Sequence, residues 1–229
     1  MFPRLPIKLD DCTHHGLGSG AEFYVVEGDS AAGAVSRMRN ADYQAVLPMQ
    51  GKPLNTVRAT AQKVVANPWF AALTQALGTG LGDRFDLQAL RYDRVILLMD
   101  PDPDGIHCGA LVSMFFYRWM RPLLDAGRVG IAQAPLATLV VGSVGHPRYV
   151  EHHVRSEQEL RAVAEQLKAQ GDTEVVMRRY RGLAGTDLHV LAATCLDPAT
   201  RTLRRIGAAD AEAAITVFGG GRPARHPRD

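Results

Sequence analysis

Apolar and polar positions along the chain alternate between short unbroken apolar runs and longer stretches with a three-to-four spacing. The runs predict strands at 21–26, 45–48, 94–99, 129–133, 136–142 and 149–154, because a strand covered on both faces reads as continuous apolar sequence. The spaced stretches predict helices from Asp29 or Ser30 through about Arg39, then at 56–66, 68–77, 105–124, 157–169, about 187–195, and from Asp210 onward. Leu111, Met114, Phe115, Trp119 and Leu123 supply the apolar face of the 105–124 helix, with a late break at Pro122. Residues 1–21 mix Pro, Gly, His and Asp and read as an irregular lead-in. Strands alternating with helices imply an α/β fold, a mostly parallel sheet flanked by helices.

Two of the predicted strands end in acids. The run 21–26 leads into Glu27-Gly28-Asp29-Ser30, and the run 95–99 leads into Asp100-Pro101-Asp102-Pro103-Asp104-Gly105. The residue before a proline is pushed toward extended geometry. Extended backbone would turn Asp100, Asp102 and Asp104 to one side, roughly 6–7 Å apart along the chain. At an effective dielectric near 20, neighbouring charges at that spacing repel by roughly 2–2.5 kcal/mol, a cost that a hard divalent cation would offset. An EF-hand loop also opens with this spacing, but its twelfth position needs an acid and here holds Leu111. A solvated acidic turn remains the alternative at this point, since Asp, Pro and Gly are ordinary turn residues. In a parallel sheet the carboxyl ends of the strands share an edge, which is where ligands bind. Glu27 and the aspartates can meet there, and four carboxylates around one cleft suit Mg²⁺.

Composition adds little. With 26 Lys and Arg against 24 Asp and Glu, the net charge of +2 neither favours nor excludes nucleic acid. The last third is loaded with cations, at Arg178, Arg179, Arg181, Arg201, Arg204, Arg205, Arg222, Arg225 and Arg228, which reads as a phosphate-facing surface or a solvated face. Cys12, Cys108 and Cys195 are far apart and form no Cys-x-x-Cys pair, so neither a zinc site nor a disulfide framework is expected. No apolar run reaches the ~18 residues of a membrane span, and the N-terminus has no apolar signal core. The expected location is the cytoplasm.

Several words along the chain carry a resemblance. They are Leu5-Pro6-x-Lys8-Leu9-x-Asp11-Cys12, V-E-G-D-S-A at 26–31, L-P-x-x-G-K-x-L-N at 47–55 and A-L-G-T-G-L-G-D at 76–83. F-D-L at 85–87, L-R-Y at 90–92, F-F-Y-R at 115–118, M-R-P-L at 120–123 and D-P-A-T-R-T-L at 197–203 continue the series. In this order they resemble the TOPRIM-containing C-terminal part of the B subunit of bacterial type IIA topoisomerases, DNA gyrase and topoisomerase IV. The resemblance implies a TOPRIM fold over 22–135, preceded by the segment 1–21 and followed by a smaller α+β extension over 136–229 made of inserted strands, helices and a basic tail. It implies that Glu27, Asp100 and Asp102 bind one or two catalytic Mg²⁺ ions, that Glu27 also serves as general acid or base, and that Asp104 is an outer member of the metal group. Lys52 and Asn55 match positions that contact DNA beside the cleavage point.

The function implied is the DNA cleavage and religation half of a type II topoisomerase. Its partners would be double-stranded DNA, an A-type subunit that supplies the attacking tyrosine, and a separate ATPase polypeptide, since the ATPase region of the family has no counterpart here and ATP would not be bound. A nucleoid-associated location in a bacterial cytoplasm follows. Tyr24, Tyr92 and Tyr117 are read as core or surface residues rather than nucleophiles. There are departures from the family pattern. Y-K-G-L-G-E-M becomes Tyr180-Arg181-Gly182-Leu183-Ala184-Gly185-Thr186, P-P-L-Y-K becomes Ala134-Pro135-Leu136-Ala137-Thr138, and Gly109 stands where an arginine is common. They leave a second reading, a non-catalytic gyrase-B-like paralogue that binds gyrase or DNA. A TOPRIM nuclease or primase-like enzyme is a more remote third.

Overall fold

The computed structural model describes residues 6–143, 145, 147–172 and 175–219. Its main sheet has five strands in the order β2-β1-β3-β4-β8, with β1 at Glu22–Val26, β2 at Gln44–Pro48, β3 at Arg94–Leu98, β4 at Val129–Ala132 and β8 at Leu203–Arg205. The first four run parallel and β8 closes the edge antiparallel to β4. Side chains alternate between the two faces, as strand geometry requires. Phe23, Val25, Leu47, Val95 and Leu97 share one core with α3 (Pro68–Leu77) and α4 (Pro103–Trp119). Tyr24, Val26, Val46, Ile96 and Leu98 share the other with α1 (Asp29–Met38) and with Leu191 and Cys195 from α7 (Leu188–Leu191) and the π-helical turn after it.

A second, three-stranded antiparallel sheet has the order β6-β5-β7, formed by β5 (Ala137–Val141), β6 (Val150–Val154) and β7 (Val175–Arg179). One face of it is covered by α6 (Glu157–Ala169), through Leu160 and Leu167 against Leu139, Val141 and Val154. The chain then returns to the main sheet with β8 and with α8 (Ala208–Phe218), which packs along α4.

The structure departs from the sequence expectations where side chains override local pattern. The helix expected over 56–66 is reduced to α2 (Ala61–Val65). Asn55 Oδ1 accepts the Val57 N–H at 3.1 Å, and the Thr56 and Val57 carbonyls accept from Arg118, which holds the preceding residues in a turn. The 105–124 helix is split at Met120, where α5 (Arg121–Asp125) begins with Pro122 in its first turn. Neither Asp29 nor Ser30 caps α1; Gly28, at φ +83°, occupies that position. Strands β7 and β8 are not among the expected strands, because the apolar run Val175-Val176-Met177 is short and ends in two arginines, and Leu203-Arg204-Arg205 holds a single apolar residue. No described helix is long and apolar enough to cross a membrane.

Several arginines of the last third are paired with acids, while Arg181 and Arg205 are exposed. Arg178 pairs with Asp187, Arg179 with Glu157, Arg204 with Asp210, and Arg201 is buried against Glu22. Arg222, Arg225 and Arg228 lie outside the described residues.

Candidate functional site

Strands β1 and β3 are parallel neighbours, with Val26 opposite Leu98, so the acids that follow them leave the sheet side by side. Glu27 Oε1 accepts the Asp100 N–H at 3.2 Å. Two glycines permit the close approach. A Cβ on Gly105 would overlap the Asp100 carbonyl and Glu27 Oε1, and one on Gly182 would overlap the Asp100 carboxylate. Gly182 also sits at φ +79° and ψ 176°, a region open to glycine and strained for other residues. The residue after it, Leu183, donates its N–H to Asp100 Oδ1 at 2.8 Å. The Y-R-G-L stretch therefore lies directly on the acidic group. Of its three retained residues, Tyr180, Gly182 and Leu183, the last two are the ones in contact with Asp100; the departures are at Arg181, Ala184, Gly185 and Thr186.

The aspartates do not line up on one side of an extended segment. Pro103 occupies the first turn of α4, where its fixed φ suits a helix and its missing N–H is no loss. Asp102 is the N-cap, accepting the Gly105 N–H at 2.8 Å through Oδ1. Asp104 is carried into the helix's first turn. It is 81% exposed and takes Lys52 Nζ at 2.8 Å. Helix initiation thus overrides the two-residue alternation. Glu27, Lys52 and Asp104 line one cleft together with Gly28, Met49, Gly51 and Cys108.

The electrostatics separate inner acids from outer ones. Burial, reinforced for Glu27 by Asp100 and for Asp100 by Asp102, pushes both carboxyl groups above their ordinary values. Asp104 is held below its ordinary value by the hydrogen bond from Lys52. Because the native state binds protons on Glu27 and Asp100 more tightly than the unfolded chain does, their ionisation destabilises the fold as pH rises from the ordinary carboxylate range through the raised native values. The expected result is that Glu27→Gln raises the melting temperature at neutral pH in chelator, and that this gain vanishes in acid below the ordinary glutamate range. A constant gain across both conditions would refute the repulsion argument.

Asn55 lies elsewhere. Its Nδ2 donates to the Phe218 carbonyl at 3.0 Å, and Arg58 Nε donates to the Gly219 carbonyl at 2.9 Å, so the end of α8 rests on this loop. Gly109 lines a cavity of about 410 Å³ between α4, β4 and α8, with Ile131, Arg155 and Ala214 among its walls. A long side chain at this position would reach into that space.

Three further contacts have no signal in the sequence, two at the strand-end acids and one near the start of β3. Lys8 Nζ reaches Asp29 Oδ2 at 2.6 Å. Leu183 holds Asp100, as above. A tight group of Asp11, Cys12 and His15 lies within 4.8 Å, the spacing of metal ligands, but Arg91 occupies it. Its Nη2 lies 2.5 Å from Asp11 Oδ2 and 2.9 Å from His15 Nε2, and Tyr92 donates to Asp11 Oδ1 at 2.6 Å. These donors outweigh burial and hold Asp11 at about 2, while burial pushes the Cys12 thiol up to about 11. The group is an ion-pair anchor that ties the N-terminal segment to Arg91 and Tyr92.

Residues 22–134 match the Toprim domain family. Over 214 residues, 93% of this chain, the sequence is 39% identical to the DNA gyrase B subunit of Streptococcus pyogenes and to that of Enterococcus faecalis. It is 39% identical over 216 residues to the DNA gyrase B subunit of Thermotoga maritima. The chain spans about a third of the length of these relatives, 32%, 33% and 32%.

Proposed function

Because residues 22–134 form a Toprim domain within a sequence closely similar to the B subunit of DNA gyrase, we propose that the chain is the Mg²⁺-dependent DNA cleavage and religation half of a type II topoisomerase B subunit. It acts with an A-type subunit that supplies the tyrosine nucleophile, on double-stranded DNA, in the bacterial cytoplasm at the nucleoid. The observation that carries this reading is the junction of Glu27 and Asp100 at adjacent strand ends, closed by Gly105 and Gly182.

The donor set fits a hard divalent cation. Glu27, Asp100 and Asp102 each have one oxygen held by a backbone N–H, which orients the carboxylate and leaves the second oxygen for a ligand. Asp104, held outward by Lys52, is an outer member. Held by Glu27, Asp100 and Asp102, Mg²⁺ would supply charge stabilisation for an in-line displacement at phosphorus. Glu27 Oε2, when not held by the cation, would take up and return the proton as general acid or base. Lys52 stands at the rim of the cleft and contacts a DNA phosphate on release from Asp104. Asn55 reaches DNA only after the end of α8 has left it. Residues 22–135 are the catalytic unit and 136–229 the extension, of which β8 and α8 pack back onto it.

A second reading, a non-catalytic paralogue that docks on gyrase or DNA, is favoured by one observation, the end of α8 seated on Asn55. The test mixes the chain with a gyrase A-type subunit, supercoiled DNA and Mg²⁺ or Ca²⁺, with a quinolone to trap breaks. Linear and nicked DNA are expected. Binding to DNA or to the A-type subunit without cleavage would overturn the catalytic reading in favour of the second.

A further inference from the structure

We propose that Glu151, His153 and His189 form a binding site for a transition-metal cation of the Zn²⁺ class, on the face of the small sheet turned away from α6. Glu151 and His153 are two residues apart on β6 and so project on the same face. His189 enters from α7. Glu151 Oε2 lies 3.8 Å from His153 Nε2 and 3.6 Å from His189 Nε2. Both separations exceed a hydrogen bond. Both are close to the ~3.3 Å edge between ligand atoms that each stand ~2.0–2.1 Å from a tetrahedral ion; the three ligand atoms do not all lie within 4.8 Å of one another, so the two imidazoles must draw together on the ion. Two imidazoles and one carboxylate select Zn²⁺, Ni²⁺ or Co²⁺ over Mg²⁺ and leave a coordination position for water. The His189 side chain is 63% exposed and free to close on an ion.

The surroundings are built as metal sites are. Metal-binding histidines usually engage their second ring nitrogen in an orienting hydrogen bond. His153 Nδ1 is 2.9 Å from Thr138 Oγ1, and Thr138 Oγ1 is in turn 2.9 Å from the Tyr180 hydroxyl. With Nδ1 donating to Thr138, Nε2 keeps its lone pair toward Glu151. The other Glu151 oxygen accepts from the Tyr149 hydroxyl. Burial depresses the His153 pKa, which keeps the imidazole in its metal-binding neutral form. The nearby cations are partnered: Arg155 faces Glu159 and Arg178 faces Asp187. The cysteine spacing gave no reason to expect zinc, and this site uses no cysteine. It lies on the small sheet and involves none of the strand-end acids, so it stands or falls independently of the cleavage reading.

The test is calorimetric titration of the chelator-treated chain with ZnCl₂ at neutral pH, in an Asp100→Asn/Asp102→Asn background that silences the strand-end acids. One Zn²⁺ per chain is expected, retained in His15→Ala. His189→Ala, a change at an exposed position, and His153→Ala should each weaken binding by at least ~10-fold, and Thr138→Val by about 10–100-fold with the stoichiometry unchanged. Circular dichroism checks that each variant is folded. Zinc affinity unchanged in folded His189→Ala and His153→Ala, or no zinc bound by the parent, would overturn the proposal.

Discussion

Asp100→Asn is expected to reduce trapped DNA cleavage by at least about 100-fold, about 2.7 kcal/mol of transition-state stabilisation, without lowering the melting temperature. Asparagine keeps the carbonyl oxygen that accepts the Leu183 N–H, so the contact between the 180–186 stretch and the strand end survives. What it removes is the charge. In the unliganded protein that charge is a burden, since burial and Asp102 already push the Asp100 carboxyl up. Stability in chelator should therefore hold or rise at neutral pH, while the stabilisation that Mg²⁺ confers on the parent chain should shrink. Thermal melts with and without Mg²⁺, paired with the cleavage assay, separate the two effects. Cleavage retained within a few-fold would remove Asp100 from the catalytic group.

Arg201→Ala is expected to be the most destabilising single change, by about 3–5 kcal/mol, a fall in melting temperature of roughly 6–20 °C for a chain of this size. The side chains of Arg201 and Glu22 are 3% and 8% exposed. The guanidinium meets both Glu22 oxygens, and its Nη1 lies 2.7 Å from the Tyr24 hydroxyl and 3.2 Å from the Leu196 carbonyl. Its loss leaves a buried carboxylate with Gln44 Nε2 at 3.0 Å and the Tyr24 hydroxyl at 3.4 Å as donors, and with the half-exposed Arg94 at 3.9 Å as its one remaining cation among the described residues. Glu22→Gln/Arg201→Met removes both charges and should recover much of the loss, because the dominant cost is an unpaired buried charge rather than lost contacts. Equal instability in the single and double variants would show that packing dominates instead.

The two changes sit on opposite sides of what sequence can show. Asp100 was legible because its surroundings are local: five apolar residues, then acids, in a word that resembles a known one. Arg201 belongs to an equally recognisable word, D-P-A-T-R-T-L, yet nothing within 197–203 points to Glu22. Their pairing exists only because α7 and the π-helical turn bring the chain back under β1. Asn55 and the Tyr180–Leu183 stretch follow the same rule. Their residue types were visible, but their partners, Phe218 and Asp100, are far away in the chain.

From sequence alone came the parallel α/β architecture, the acids at two strand ends and the family of chemistry, all of which depend on short-range periodicity and on words of a few residues. The tertiary structure decided what those words touch. It turned the presumed row of aspartates into a helix start, with Asp102 as cap and Asp104 facing Lys52, because a proline in the first turn favours a helix over continued extension. It also paired the arginines at 178, 179, 201 and 204 with acids, and brought Glu151 and His153 near His189. Contacts across such sequence distances are set by how the layers pack, and no local pattern encodes them.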